Sequence, residues 1–279
     1  VGAGISGLRA AARAQACGLD YAVLEARDRV GGRAYAQAGL DLGPSWVWPA
    51  HQPRVRALID ALGLRDFPQP ENGALRYETA AGIQTLDFPK RYADAARLEG
   101  GPFHLARSAA LKRWPTWMAA HAKISLSYDA PFWREAGLSG SAVSQVGPLM
   151  EVVDHSDDEA GRFALFGFYG WPEGVRRRRS GTLQAETLAQ LERLFGVQAA
   201  KPSEIVFKDW SADRLTATPA DSPGPREHPP YGEPALSQIW FEGRLAFAGA
   251  EAARSHGGLI EGALEAADAA VERLLDSPV

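Results

Sequence analysis

Three glycines and a glutamate near the start of the chain have the spacing of a phosphate-binding turn. Gly2, Gly4 and Gly7 form a Gly-x-Gly-x-x-Gly pattern, and Glu25 ends the next apolar stretch. Backbone N–H groups in such a turn are free to bind a pyrophosphate at a helix N-terminus, and the acidic residue binds ribose hydroxyls. The spacing therefore predicts a dinucleotide site.

Two arginines and a second pair of glycines follow Glu25. Arg27 and Arg33 carry guanidinium groups suited to a diphosphate, and the pair at 31–32 allows close approach of the backbone to a ligand. A nicotinamide site needs neither feature, so this stretch favours FAD.

Lys123 is the candidate for chemistry elsewhere in the chain. It lies in residues 122–128, where polar and apolar side chains alternate as in a half-buried strand. Burying a lysine is costly unless it is paired or hydrated. On the residues alone, a functional lysine and a strand-edge lysine that reaches solvent are equal alternatives.

Regular elements are predicted around these residues. A helix over 5–17 stops at Gly18, and a Val/Leu strand leads to Glu25. Short strands are expected within 137–154 and 162–170, which predicts an antiparallel sheet, and a helix over 180–196 ends at Gly196. The basic run 176–179 is interpreted as a solvated turn in a loop, and Cys17 as a small buried residue of the first helix.

Composition narrows the class of protein. The chain has 279 residues, 46% of them hydrophobic, and a net charge of −4, which indicates a globular enzyme without a broad basic surface for nucleic acid. The single cysteine, Cys17, excludes an internal disulfide and favours the cytoplasm. No run approaches the roughly 20 apolar residues of a membrane span, and the six histidines lack metal-ligand spacing.

Three blocks of sequence resemble the flavin-containing monoamine oxidase family, in its soluble, bacterial-type form. They are LEARDRVGGR at 24–33, DLGPSW at 41–46, and the stretch from Gly243 to Ala263. The resemblance implies an α/β fold, in which a Rossmann-like FAD-binding domain carries an inserted α+β substrate domain built on an antiparallel sheet. The implied FAD-binding domain covers 1–70 and 205–279, with 99–101 rejoining it, and the substrate domain covers 71–98 and 102–204.

Comparison with the family also suggests two missing segments. Family members have a strand before the Gly-rich turn, and about 100 residues that would follow Gly101 are absent, most of a small domain. If the numbering has closed over those residues, Gly101 and Pro102 are not joined by a peptide bond. We then expect the distance between their Cα atoms to exceed the roughly 3.8 Å of one trans peptide.

The resemblance also assigns roles to individual residues. Lys123 would hold a water against flavin N5 and assist reoxidation by dioxygen, and Trp210 would lie beside the isoalloxazine ring. The backbone N–H of Ile260 would face flavin N1 and C2=O, and those of Ala250 and Glu251 the pyrophosphate. The full cofactor set is Gly2, Gly4, Gly7, Glu25, Arg27, Gly32, Arg33, Ser45, Trp46, Gly249, Ala250, Glu251, Leu259 and Ile260.

Two departures from the family limit the substrate prediction. Residues 211–218 contain no cysteine, so FAD should bind non-covalently. Leu259 stands where the family has tyrosine, and 215–217 lacks an aromatic residue, so an aromatic cage around the amine is not expected. Trp46, Trp48, Phe168 and His256 are the alternative pocket residues.

The predicted reaction is oxidation of an amine C–N bond by hydride transfer to flavin N5, with dioxygen as acceptor, giving an imine and hydrogen peroxide. A related oxidoreductase with another donor, such as a desaturase or an NAD(P)H oxidase, is the second interpretation. A non-catalytic flavin-binding protein is the third. The expected partners are an amine and dioxygen, with no nucleic acid, membrane or metal, and the oligomeric state stays open.

Overall fold

The computed structural model describes residues 2–70, 72–87, 116–221, 232–240 and 243–276. Helices and a mixed sheet together give these ranges an α/β fold. The helices are α1 (Ile5–Ala16), α2 (Pro53–Ala61), α3 (Phe132–Glu135), α4 (Glu173–Arg178), α5 (Leu183–Phe195), α6 (Pro234–Ser237) and α7 (Ile260–Asp276).

The strands form one large sheet and two short ribbons within the described ranges. The ribbons pair β1 (Ala36–Gln37) with β2 (Leu40–Asp41), and β10 (Ile239–Trp240) with β11 (Leu245–Ala246). The large sheet contains β3 (Ala74–Thr79), β4 (Gly82–Asp87), β5 (Ala122–Tyr128), β6 (Leu138–Ser144), β7 (Leu149–Asp154), β8 (Phe163–Tyr169) and β9 (Glu204–Asp209).

The order in the large sheet is β4-β3-β6-β7-β8-β5-β9. Neighbouring strands are antiparallel except β3 and β6, which are parallel. Since β9 pairs with β5 along its whole length, the sheet continues past the boundary predicted at residue 204. The division into FAD-binding and substrate domains stays a prediction.

The main core lies between this sheet and α5. Leu191 and Leu194 of α5 are fully buried in one core cluster with Leu126 of β5 and Leu165 of β8. The helical spacing of its apolar residues explains this, since they fall on one face. The predicted helix over 180–196 is thus confirmed with slightly tighter bounds, and so are the strands within 137–154 and 162–170.

Helices α1 and α7 are far apart in the sequence but pack against each other. Arg9 Nε donates to Asp268 Oδ1 at 2.7 Å, and Arg9 Nη2 donates to Asp268 Oδ2 at 3.0 Å. This bidentate pair joins the two ends of the chain.

Several sequence-based expectations were wrong. Strand β5 is buried on both faces rather than half-buried, because strands β8 and β9 flank it and other elements cover it. Tyr21 to Glu25 is not assigned as a strand: within the described residues its backbone pairing is the bond from Gly2 N–H to Leu24 O. Cys17 is exposed because it follows the last residue of α1.

The basic run also differs from its prediction. Residues 176–178 belong to α4, and Arg176 is 3% exposed because it turns inward to a carboxylate. The predicted discontinuity between Gly101 and Pro102 lies outside the described residues.

None of the described helices combines the length and apolar character that crossing a bilayer requires. The same ranges hold no group of three or more side chains placed to bind a metal.

Candidate active site

A cavity of about 1520 Å³ lies where the two ends of the chain meet β5. Typical small-molecule pockets measure roughly 300–1000 Å³, so this cavity has room for a long ligand and a second small molecule. Every residue singled out for the cofactor or for chemistry lines it: Gly2, Gly4, Gly7, Glu25, Arg27, Gly32, Arg33, Ser45, Trp46, Lys123, Trp210, Gly249, Ala250, Glu251, Leu259 and Ile260.

Glycines bring two backbone turns into contact at one end of the cavity. Gly4 precedes α1 and bridges to Gly31, and a Cβ added to Gly32 would lie 3.3 Å from the Gly4 Cα. Gly32 also has a φ of +61°, which side chains rarely adopt. No side chain caps the start of α1, so its first N–H groups are available to an anion.

Glu25 is held by the backbone of this same region. Its Oε2 accepts a hydrogen bond from Ala3 N–H at 2.6 Å, and its Oε1 accepts one from Arg27 N–H at 2.9 Å. These bonds lower the pKa of Glu25, with the bond from Arg27 the largest cause. The side chain is therefore a fixed carboxylate in the cavity wall.

Both predicted arginines are paired with carboxylates. Arg27 Nη2 lies 3.0 Å from Asp213 Oδ1 and donates to Thr216 at 2.8 Å. Arg33 Nη2 lies 2.6 Å from Glu251 Oε1. These pairs tie residues 27–33 to the C-terminal part of the cavity wall, so the two halves of the predicted cofactor site are physically joined.

Lys123 is buried in the opposite wall, with 1% of its surface exposed. Its Nζ lies 2.5 Å from Ser45 Oγ and 3.3 Å from the Gly43 carbonyl oxygen, and 3.9 Å from the centre of the Phe166 ring. Burial lowers the pKa of Lys123 to about 8, against a smaller upward influence of Asp41. Burial therefore makes the neutral form of the Lys123 side chain more accessible than it is in an exposed lysine.

Trp210 is fixed to the same turn that holds Lys123. Its indole Nε1–H donates to the Leu42 carbonyl oxygen at 2.9 Å, and the edge of its ring meets Tyr35. Gly43, between the Leu42 and Ser45 contacts, cannot carry a side chain, since a Cβ there would lie 2.1 Å from the Arg33 carbonyl oxygen. The turn at 42–45 thus sets the positions of both Lys123 and Trp210.

The remaining cavity wall is rich in aromatic side chains. Trp46, Trp48 and Phe168 line it as predicted, and the Trp46 ring lies 6.4 Å from those of Trp48 and Phe168. His256, the fourth predicted pocket residue, is not among the lining residues and contacts Ser255 instead.

Two further residues of this wall were missed by sequence reasoning. Trp117 and His121 both line the cavity, with their ring centres 6.3 Å apart. Burial lowers the pKa of His121, and the positive charge of Arg176 adds to the effect. The sequence position of His121 could have indicated this, because His121 lies two residues before Lys123. In an extended chain, two residues at that spacing face the same side.

These features fit a flavin dinucleotide. The uncapped α1 N-terminus and the glycine approach suit a pyrophosphate, Glu25 suits ribose hydroxyls, and the cavity continues from there to Lys123 and Trp210.

Comparison with known proteins agrees with this geometry. The sequence profile described as "Flavin containing amine oxidoreductase" matches residues 5–112 and 94–275. A putrescine oxidase of Kocuria rosea is 44% identical over 88 residues, which are 30% of this chain and 18% of that protein. An L-amino acid dehydrogenase of Synechocystis is 28% identical over 214 residues, which are 70% of this chain and 43% of that protein. Each alignment thus spans less than half of the relative's length.

Solved structures share the fold. A putrescine oxidase bound to putrescine superposes with a TM-score of 0.74 at 19% identity, covering 98% of this chain and 97% of that one. Cyclohexylamine oxidase from Brevibacterium oxydans superposes with a TM-score of 0.73 at 17% identity, covering 99% of this chain and 98% of that one.

Proposed function

This chain belongs to the flavin-containing amine oxidoreductase family, whose cofactor is FAD, and from that premise we propose that it oxidises amines with non-covalently bound FAD. The observation that carries the proposal is the shared cavity. Residues from both ends of the sequence, selected by their type and spacing, all line one cavity together with a buried lysine. If only the family's sequence blocks remained and the site were lost, these residues would not need to line one cavity.

The chain's own residues would divide the binding of FAD among them. Gly2, Gly4 and Gly32 offer close backbone approach to the pyrophosphate, and Glu25 offers carboxylate oxygens to the ribose. Helix α7 begins at Ile260 in the cavity wall, so the positive end of its dipole would favour negative charge on the flavin ring. The only cysteine, Cys17, is exposed and does not line the cavity, which supports non-covalent binding.

Bound FAD would supply the redox chemistry of the proposed reaction, in which an amine and dioxygen give an imine and hydrogen peroxide. Lys123 would position a water with its Nζ, which Ser45 and Gly43 already fix in place. Burial lowers the pKa of Lys123 to about 8, which would make its side chain a better proton carrier than an exposed lysine.

The amine would bind against the aromatic wall. Trp46, Trp48 and Phe168 offer ring faces and apolar surface, while Leu259 replaces the family's tyrosine at the other side.

In this proposal the large sheet belongs to a substrate domain and the glycine turns belong to an FAD-binding domain. A cytoplasmic location completes the proposal, supported by the single cysteine.

A coupled peroxide assay tests this function. The FAD-loaded protein is mixed in air with putrescine, cyclohexylamine, benzylamine or an L-amino acid, and hydrogen peroxide and ammonia are both measured. Equal amounts of the two products with at least one primary amine are expected. Consumption of NADH or NADPH with no response to any amine would instead support the second interpretation, a different electron donor.

A further inference from the structure

Arg176 donates five side-chain hydrogen bonds at one end of the strands of the large sheet. Its Nε and Nη2 donate to the two carboxylate oxygens of Asp209, each at 2.8 Å. Nη1 donates to the Trp171 carbonyl oxygen at 2.6 Å, and Nη2 also donates to the Ala120 carbonyl oxygen at 2.9 Å and to Ser211 Oγ at 3.1 Å. The planar guanidinium is suited to such a fan of acceptors.

Ala120, Trp171 and Asp209 lie at the ends of three neighbouring strands. Ala120 lies two residues before β5, Trp171 two residues after β8, and Asp209 is the last residue of β9. Since β5 is antiparallel to both neighbours, these three ends meet at one edge of the sheet. Arg176 reaches this edge from α4, and its own side chain is almost fully buried there.

Each of the three strand ends carries a residue of the cavity. Lys123 is the second residue of β5, Phe168 pairs with it from β8, and Trp210 directly follows Asp209. A backbone bond closes the group, because Trp210 N–H donates to the His121 carbonyl oxygen at 3.0 Å. The residues bonded to Arg176 are therefore one to three residues away from the cavity wall along each strand.

We propose that Arg176 and Asp209 form a positioning clamp that fixes Trp210 and the start of β5 in the cavity wall. The clamp does not line the cavity itself, so Arg176 acts through the residues it holds. The contribution of the clamp to catalysis rests on the proposed function. Its effect on the position of Trp210 does not, and that effect is tested in the cofactor-free protein.

The test uses protein labelled with [15N]tryptophan. The indole N–H signals of the eight tryptophans lie in a separate region of the proton–nitrogen spectrum, and a Trp210→Phe variant identifies the Trp210 signal. Arg176→Lys keeps the positive charge but lacks the fork of donors. Arg178→Lys is the matched control, since Arg178 lies on the same helix and is exposed.

Trp133 serves as an internal reference. It is buried, as Trp210 is, and its Nε1–H donates to Asp154 at 2.8 Å, away from the clamp. If Arg176 positions Trp210, Arg176→Lys shifts the Trp210 signal and speeds its hydrogen exchange about tenfold or more, while Trp133 is unchanged. A general loss of stability would speed both, and that result would overturn the proposal.

An unchanged Trp210 signal in Arg176→Lys would overturn it equally. Asp209→Asn removes the charge from the other partner and is expected to reproduce the effect. If either variant fails to fold, Ser211→Ala provides the test, because it removes only one hydroxyl from the clamp. A smaller shift confined to Trp210 is expected there, and no shift in this variant would contradict the clamp. None of these results depends on an amine being the substrate.

Discussion

The Nζ atom of Lys123 lies 2.5 Å from Ser45 Oγ, so a residue of β5 is bonded to the turn that follows β2. The same turn accepts the Trp210 indole N–H through Leu42. One short loop thus sets the position of the two side chains closest to the proposed chemistry. Because that loop is held by backbone contacts with residues 33–35, the cofactor end and the reactive end of the cavity are built as one unit.

Replacing Lys123 by methionine should slow flavin reoxidation without releasing FAD. We expect the rate with dioxygen to fall on the order of a hundredfold, the loss typical of removing one positioned polar group. Stopped-flow mixing of dithionite-reduced protein with aerated buffer measures it without any amine. Lys201→Met, at an exposed position, is the control and should keep the wild-type rate. Equal rates in both variants would remove the role assigned to Lys123.

Stability should depend on pH through the same residue. Burial lowers the pKa of Lys123 from 10.5 to about 8, so between these values the unfolded chain holds a proton that the folded chain has lost. The free energy of unfolding therefore rises with pH across that window, and below it the buried charge costs about 3 kcal/mol. Urea titrations of wild type and Lys123→Met at several pH values isolate this contribution. A difference between the two proteins that stays constant from pH 7 to 10.5 would contradict it.

The approach of Gly32 to Gly4 should matter more for FAD than the conformation of Gly32 alone. Gly32→Ala places a Cβ 3.3 Å from the Gly4 Cα, so the two turns must separate. Gly63 has the same φ of +61° but open space around it, which makes Gly63→Ala a control for backbone strain. Both variants should lose about 1 kcal/mol of stability or more. Only Gly32→Ala should weaken FAD binding, by about tenfold, as measured by flavin fluorescence. Equal affinities would show that the approach is not part of the site.

Glu261 should stabilise the contact between the start of α7 and the start of α2. This fully buried carboxylate accepts hydrogen bonds from Val55 N–H at 2.9 Å and from Arg54 N–H at 3.2 Å, at the start of α2. Glu261→Gln replaces one acceptor by a donor that faces these groups, so the free energy of unfolding should fall by about 1–3 kcal/mol. Glu272→Gln, on the exposed side of α7, should change it by less than about 0.5 kcal/mol. Thermal and urea unfolding of both variants provide the comparison.

Sequence spacing predicted which residues line one cavity better than it predicted the secondary structure around them. The glycine pattern and Glu25 were informative because a pyrophosphate site demands specific backbone geometry from particular residue types. Residues 21–25 were misleading, because a strand forms only where a neighbouring strand pairs with it. The residues of the strand itself do not determine whether such a neighbour is present.

Side-chain partners were the other unpredictable part. Arg176 lies in a run of four arginines that resembles a solvated surface, yet it is buried because Asp209, 33 residues further on, lies within reach. His121 and Trp117 belong to no recognisable sequence motif. They line the cavity because the fold places β5 beside the turn at 42–45. Such contacts depend on tertiary structure, which local sequence does not encode.

The most direct test of the account is the visible absorption spectrum of the FAD-loaded protein, recorded before and after anaerobic addition of an amine panel. Putrescine, cyclohexylamine, benzylamine and an L-amino acid represent diamine, alicyclic, aromatic and amino acid donors. We expect two bands of oxidised flavin that bleach with at least one of these amines and return when air is admitted. Bands that persist with every amine but bleach with NADH, or protein that binds no FAD at all, would contradict it.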